Sequence, residues 1–482
     1  MASERTASLA STLVARFLRT NDYKETLHAF IREAGLPPDA GHTPGKGDWT
    51  IEGVLEEKKA FDQSVHFERY GEDGKEKDLW SIPAPSKPHL IETPTSSNLL
   101  SCSVEPWQNV IDGDEQPQSS YIVATGADRA LHLFETVAGN KPIRSFSGHS
   151  DSPVLSYAPI QNGKYVFMTN MSGQLLLQRG AEILHRRKDH TKYAVKVVAH
   201  HDEATSIAWI ATAGWDSKVF LYRVDLGEAN QPLTINEPIA HINLASNPES
   251  LVFVRHPDTT ELMLVVSRRD SSYLFYYQVD TPSDSPSPYE CHLLGRQNLA
   301  PHSNAWVAFS PSCLAVSPHD PGLLAIATST LPHMKVMIVR MLFPSPDSLG
   351  LTTSGPVDTA STPETQATQA FAALTLQNRE DAAILIQANT FAPQTAYSTP
   401  QVVWRPDGSG VWVNGDDGVI RGLETKTGMV AAMLKDGHQV GSKIRTIWAG
   451  EVSVVRNGET VEEEWLVSGG FDKQLIVWKA TE

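Results

Sequence analysis

Two textures of apolar and polar positions divide the chain. In the first 36 residues, Leu9, Leu13, Phe17 and Leu18 recur at helical spacing, with Arg16 and Arg19 off that face. Asn21–Asp22 interrupts, and Leu27, Phe30, Ile31 and Ala34 then line one face of a second predicted helix. Asp22 is placed to cap that helix and Glu25, three residues on, to reach back in a variant capping box. Gly35, Leu36, Pro37 and Pro38 form a stop signal. Residues 37–86 are mixed. Pro37 to Lys46 has linker composition, Asp48 to Tyr70 reads as a helix, and Gly71 to Asp78 as a charged loop. From residue 87 onward, short β-rich runs punctuated by Gly, Asp, Ser and Pro predict an all-β architecture.

A single pattern repeats through this β-rich region. Val467–Ser468–Gly469–Gly470–Phe471–Asp472 is an apolar strand running into a tight turn, followed by Leu475 and Trp478 at three and six residues beyond Asp472. The same offsets follow Asp128 (Leu131, Phe134), Asp216 (Val219, Tyr222), Asp270 (Tyr273, Tyr276) and Asp417 (Ile420, Leu423). Ser172 stands in for Asp before Leu175 and Gln178, and His333 before Val336 and Val339 gives the weakest copy. The intervals from Asp128 to Asp472 are 44, 44, 54, 63, 84 and 55 residues. Intervals of about 44 suit a four-stranded unit, and the longer ones imply insertions.

The N-terminal pair cannot stand alone, because isolated helices of about 13 residues are marginal in water. A second copy, or docking on the chain's own main domain, would cover the apolar faces. Leu13, Phe17 and Leu18, then Asn21–Asp22–Tyr23, Thr26–Leu27, Phe30, Glu33 and Gly35, resemble the LisH motif, with Asp22 where that motif has Gly. The resemblance implies dimerisation through Leu13, Phe17, Leu18, Tyr23, Leu27 and Phe30, and a LisH hairpin over residues 1–36.

The seven turns, with Gly148–His149, Asp189–His190 and Gly437–His438 at repeat starts, resemble the WD-repeat family over residues 87–482. The expected fold is mainly β: a seven-bladed propeller behind an N-terminal helical hairpin and a linker (37–86) with one helix. The resemblance implies a polar brace in which His149, His190 and His438 tie the turn carboxylates Asp128, Asp216, Asp270, Asp417 and Asp472 to the blades, with Trp478 packed alongside. Such a ring removes its sheet edges only by closing. The chain ends just past the inner strands of the last blade, so Lys87–Thr95 is the candidate outer strand. The Ser/Thr/Pro-rich stretch at about 344–368 is expected to be a disordered insertion, and Asn457–Gly458 a hairpin turn.

Composition narrows the function. With 56 acidic residues against 40 Lys plus Arg, the formal charge is −16, which disfavours direct binding to a nucleic acid backbone. No uninterrupted apolar run approaches the roughly 18 residues of a membrane span. Residues 1–20, rich in Arg, Ser, Thr and Ala, have a transit-peptide look but run unbroken into Asp22–Glu25 and read as a folded element. Cys102, Cys291 and Cys313 are odd in number and far apart, which suits an intracellular compartment, cytoplasm or nucleus, and supports neither a disulfide framework nor zinc.

Motifs for chemistry are sparse. Gly408–Ser409–Gly410 is no nucleophile elbow, and Gly45–Lys46 lacks P-loop spacing. His185, His190, His200, His201 and Asp202 cluster in sequence, but the propeller reading puts His190 on one face and His200–His201 on the other. No cofactor or metal is expected. The alternative reading is an enzyme or small-ligand-binding propeller using the central pocket, with Asp416, Asp417 and a histidine as acid and base in the enzyme case, although Gly-Asp-Asp-Gly is also a plain turn composition. The principal expectation is a non-catalytic scaffold within a multi-subunit protein complex, homodimeric through LisH and touching neither nucleic acid nor membrane. In propellers the residue before the turn Asp points onto the narrow end of the ring, here Ala127, Met171, Trp215, Arg269, Pro332, Asp416 and Phe471. Of these, Trp215, Phe471, Arg269 and Asp416, with Arg129 beside them, are the candidate partner-binding residues.

Overall fold

The computed structural model describes residues 2–42, 50–56, 68–69, 80, 82–108, 119–137, 139–226, 233–279, 289–301, 309–344, 366–456 and 459–480. It forms two compact units, a helical one at the N-terminus and a second that carries all the strands.

Helices α1 (Ala2–Thr20) and α2 (Lys24–Glu33) make the N-terminal hairpin. The expected capping box does not form. Tyr23 is the cap residue, without a side-chain bond, while Asp22 sits in the left-handed region at φ 61°, one position too early to cap. That conformation is easiest for Gly and tolerated by Asp. The stop works as read: Gly35 takes φ 61° and the Leu36 N–H donates to the Ile31 carbonyl at 3.0 Å. Residues 37–42 are not a free linker. Arg19 Nη2 donates to the carbonyls of Ala40 (3.0 Å) and Pro38 (3.2 Å). Gly41, at φ 82°, lies so close to α1 that a Cβ would meet the Ala15 carbonyl carbon at 2.6 Å. Residues 51–56 are helical, but the predicted 48–70 helix does not reach Arg69, which bridges to Gln387 as a strand would. The rest of that prediction, 57–67, and the 71–78 loop lie outside the described residues.

The second unit is a ring of seven sheets, six of four strands. Blade 1 runs from β2 (Leu99–Trp107) to β5 (Pro142–Phe146), and blade 2 from β6 (Val154–Ile160) to β9 (Glu182–Lys188). Blade 3 runs from β10 (Ala194–Asp202) to β13 (Ala240–Asn243), with the two-residue β17 (Tyr289–Glu290) added parallel at its edge. Blade 4 comprises β14 (Pro248–Arg255), β15 (Leu262–Arg268), β16 (Tyr273–Gln278) and β18 (Leu293–Asn298). Blade 5 spans β19 (Pro311–Val316) to β22 (Ile384–Pro393), and blade 6 β23 (Val402–Trp404) to β26 (Val430–Leu434). Blade 7 holds β27 (Ile444–Arg456), β28 (Glu459–Gly470) and β29 (Leu475–Lys479). Its fourth strand is β1 (Lys87–Ile91), antiparallel to β29 with Lys87 opposite Lys479 and Ile91 opposite Leu475. Inner strands touch in sequence order around the ring, and β27 meets β2 to complete it.

Seven apolar clusters occupy the seven seams, each drawing side chains from two adjacent blades. Blade strands are therefore covered on both faces, which is why Tyr165–Asn170 is buried at every position instead of alternating. The closing seam joins Ile91, Trp465, Leu475 and Val477 to Leu99, Val104 and Phe134.

Three sequence expectations need amendment in this unit. Residues 345–365 lie outside the described set, but Gln366 already begins helix α3 (Gln366–Ala383), so the end of the supposed disordered insertion is ordered. Asp381 of α3 takes Arg69 in a two-pronged ion pair at 2.9 Å. In blade 5 the repeat position belongs to Ser329, whose N–H donates to the Ser310 carbonyl (3.1 Å), and not to Pro332 or His333, which follow it. The β27–β28 hairpin is as expected, with its 457–458 turn outside the described residues.

A second fastening precedes β1. Trp80 lies edge-on to Trp412 (centroids 5.2 Å apart) and under the guanidinium of Arg405 (4.6 Å). Gly422 makes room, since a Cβ there would meet Trp80 at 2.2 Å. Arg405 is fully enclosed and grips Glu464 of blade 7 through Nε (3.0 Å) and Nη2 (2.7 Å), while donating to the Ile82 carbonyl. Removing one partner of a buried pair strands the other charge. Arg405→Met is therefore expected to cost about 3–5 kcal/mol in urea unfolding. A loss under about 1 kcal/mol would show that the pair does not hold this seam.

Candidate interaction face and axial cavity

Antiparallel blades put the turn between their second and third strands on the same end of the ring as the loop entering the blade. A recurrent backbone bond ties the two. Ala127, Met171, Trp215, Arg269, Ser329 and Phe471 each donate their N–H to the carbonyl of the residue just before their own blade's inner strand, as in Trp215 to Tyr193 and Phe471 to Lys443, both 2.9 Å. In blades 1, 3 and 7 the turn closes from the N–H of Arg129, Ser217 and Lys473 to the preceding Gly carbonyl, with those donors at φ 61–67°.

Side chains reinforce the turns, though not uniformly. In blade 7, His438 Nδ1 meets Asp472 at 2.9 Å and its Nε2 meets Ser468 Oγ at 2.8 Å, while the Trp478 indole donates to the same Oγ at 2.9 Å. Blade 3 repeats this with His190, Asp216 (3.0 Å) and Thr212 (2.9 Å). Blade 1 achieves it differently. Asp128 is met by His132, on the following strand, at 2.9 Å, and His132 by Ser145 at 2.7 Å.

His149, expected to brace a turn carboxylate, lies tilted against Phe146 (5.1 Å) with its Nδ1 3.5 Å from Gln178 Oε1, at the head of blade 2, where the turn residue is Ser172 and carries no carboxylate. Asp417 is held by Arg421 through two nitrogens (2.6 and 3.1 Å) rather than by a histidine. Asp270 fails as a brace because the left-handed residue of its turn is Asp270 itself (φ 55°), which swings its side chain away; its N–H donates to Ser310 Oγ (2.9 Å).

Burial alone would raise the Asp472 carboxyl, but the His438 bond and charge and the N–H groups of Gln439 and Gln474 outweigh it, leaving it below the ordinary range. Asp216, with His190, is lowered in the same way.

The proposed partner residues separate into free and engaged. Trp215 (43% exposed) stands beside Tyr193 (41%) with ring centroids 5.1 Å apart, and Tyr193 escapes the sequence reading because it lies outside the turn pattern. Phe471 is 42% exposed and Arg129 is exposed. Arg269 is paired with Glu249 at 2.8 Å. Asp416 is tied down by Lys443 (2.8 Å) and Ser398 (2.5 Å), so it serves the loop and offers no open carboxylate. Asp417 is likewise paired, with Arg421 at 2.6 Å.

On the axis lies a cavity of about 330 Å³ with lining residues from all seven blades, Trp215, Arg269 and Tyr397 among them. Its wall is built by a register irregularity near the start of the inner strand in every blade but the sixth. Leu100, Leu155, Val195, Glu249, Ser312 and Arg445 are the skipped residues, and each faces the cavity together with the residue after it. Bulges leave no mark in an apolar pattern, so the sequence gives no sign of Lys196 and Arg445. The dense histidine run disperses as expected: His190 braces a turn while His200 meets Arg255 (3.2 Å).

A closed seven-bladed ring with braced turns and a helical hairpin defines a LisH and β-propeller protein. The chain belongs to the UCP007778 family, whose LisH domain matches residues 9–38 and whose beta-propeller domain matches residues 82–479. It is similar to the uncharacterized protein YGR117C of Saccharomyces cerevisiae, at 22% identity over 365 residues covering 68% of this chain and 73% of that one.

Because the folded Asp472 and Asp216 carboxyls lie below their unfolded values, the unfolded chain binds more protons as pH falls. Their contribution is full above about pH 4 and fades as pH drops through the lowered folded values. Asp472→Asn should flatten this acid limb in denaturant titrations between about pH 5 and 2. It should also cost about 1–3 kcal/mol at neutral pH, because the new amide has one acceptor oxygen where the carboxylate had two and its NH2 faces the donors of His438, Gln439 and Gln474. An unchanged acid limb would disprove the brace's contribution.

Proposed function

We propose that this protein is a non-catalytic interaction scaffold of an intracellular assembly, in which the LisH hairpin pairs two chains and each propeller presents the Trp215 face to a protein partner. The observation that carries the reading is the Trp215–Tyr193 pair, two large aromatic rings left open on the turn-bearing end beside the axial cavity. Trp, Tyr and Arg supply most interface hot spots, because large rigid surface is desolvated there at little entropic cost. LisH and propeller domains commonly serve as protein-interaction modules, and WD-repeat proteins carrying LisH typically act as assembly subunits.

Dimerisation is supported by the hairpin's own make-up. Leu27 is buried, but Leu13, Phe17, Leu18 and Phe30 are only half-buried and Tyr23 is exposed. Two helices have too little mutual surface for a core. Pairing would present two binding faces together and raise avidity without new contacts.

Sedimentation equilibrium of the full chain should give twice the monomer mass, and Leu13→Arg with Phe17→Arg should halve it. A wild-type monomer at micromolar concentration would refute pairing. For the face, Trp215→Ala with Phe471→Ala should reduce co-purification of native partners at least tenfold while the melting temperature stays within a few degrees; capture at full strength would refute it.

A further inference from the structure

The axial cavity carries charge that the rest of the propeller leaves unused. Arg445, the skipped residue of blade 7, and Lys196, which follows the skipped residue of blade 3, both line it. Neither side chain makes a hydrogen bond or an ion pair among the described residues. The other cation and the acid on the same wall, Arg269 and Glu249, cancel each other at 2.8 Å. Blades 3 and 7 are three seams apart in one direction and four in the other, so their inner strands stand on nearly opposite sides of the axis. Burial pulls the Arg445 guanidinium below its ordinary value, with no neighbouring charge opposing the shift. The positive charge of Lys196 opposes the effect of burial on the Cys313 thiol, and Cys313 lines the same cavity. A half-buried cation with no partner of its own loses hydration that an incoming anion would replace. Their presence is the more telling in a chain of net charge −16.

We propose that the axial cavity receives an acidic side chain of an extended peptide segment, its carboxylate held between Arg445 and Lys196 while adjoining residues of the segment lie over Trp215 and Tyr397. The inference rests on the reading of this end of the ring as the partner-binding face. A carboxylate fits better than a phosphate. Among the described lining residues two cations have no side-chain partner, and a dianion would face Glu249 on the same wall. Nucleic acid is disfavoured by the overall negative charge and by a cavity of about 330 Å³, which suits a side chain and not a stacked strand.

Selection of a random twelve-residue peptide display library on the full-length protein tests this. Binders should carry Asp or Glu at one fixed position. A synthetic binder should lose at least tenfold in affinity when that residue becomes Gln or Asn, and again on protein carrying Lys196→Met and Arg445→Met. The double variant should melt no lower than wild type, because it removes unpaired cations.

Binders without a fixed acid, full binding by the double variant, or enrichment of nothing would each overturn the proposal. A phosphoserine peptide binding tenfold tighter than its Glu counterpart, or a single-stranded oligonucleotide displacing the peptide, would also overturn it by reassigning the site. If binders fail the acid test but lose affinity on Trp215→Ala, the partner-binding face stands and only the carboxylate inference falls.

Discussion

Ring closure is the constraint on which this propeller depends. Each blade is apolar on both faces, so every sheet needs two neighbours and no single seam can be left open without exposing a cluster to water. The fourth strand of blade 7 is Lys87–Ile91, nearly 400 residues upstream of its partner β29. Sheet hydrogen bonds give that strand affinity for β29, while Ile91, inserted among Trp465, Leu475 and Val477, supplies the apolar contact of the final seam. The Trp80–Arg405–Glu464 stack fastens the same stretch a few residues earlier. Arg405 is tolerable with no exposure because its guanidinium has a bidentate carboxylate on one side, an indole face on another and a backbone carbonyl on a third.

Around the ring, one mechanical task is met by different chemistry. Each of these turns must be tied to the loop that enters its blade, and the backbone bond does this in six blades irrespective of side chain. The polar brace varies: His438 with Asp472, His190 with Asp216, His132 from the following strand with Asp128, Arg421 with Asp417. Blade 2 dispenses with a carboxylate at the turn and uses Asn170 amide bonds to Ser150 and Gln174. Tied turns give a rigid platform, and a rigid platform lets exposed rings such as Trp215 and Tyr193 keep a fixed position with little ordering entropy lost on binding.

Much of the architecture is legible because it is written in periodicity. Helical spacing announces the hairpin, and the recurrence of an apolar run, turn and aromatic announces seven blades. Local rules fail where one backbone angle decides the outcome. Asp22 loses its capping role, and Asp270 its brace, because each residue takes the left-handed conformation that moves its carboxylate elsewhere. Blade 5 is misplaced by a few residues because its turn carries neither Asp nor Gly, and hydroxyls of Thr328 and Thr330 do the binding instead.

The linear sequence determined the number of blades and the positions of six of their seven turns, since both follow from which residues must leave water and at what interval. Tertiary structure alone decided which histidine meets which aspartate, how Trp80 and Arg405 lock the seam, and where the cavity's charges stand. Those depend on register slips of a single residue and on side chains brought together from blades hundreds of residues apart, neither of which alters the local pattern of apolar and polar positions.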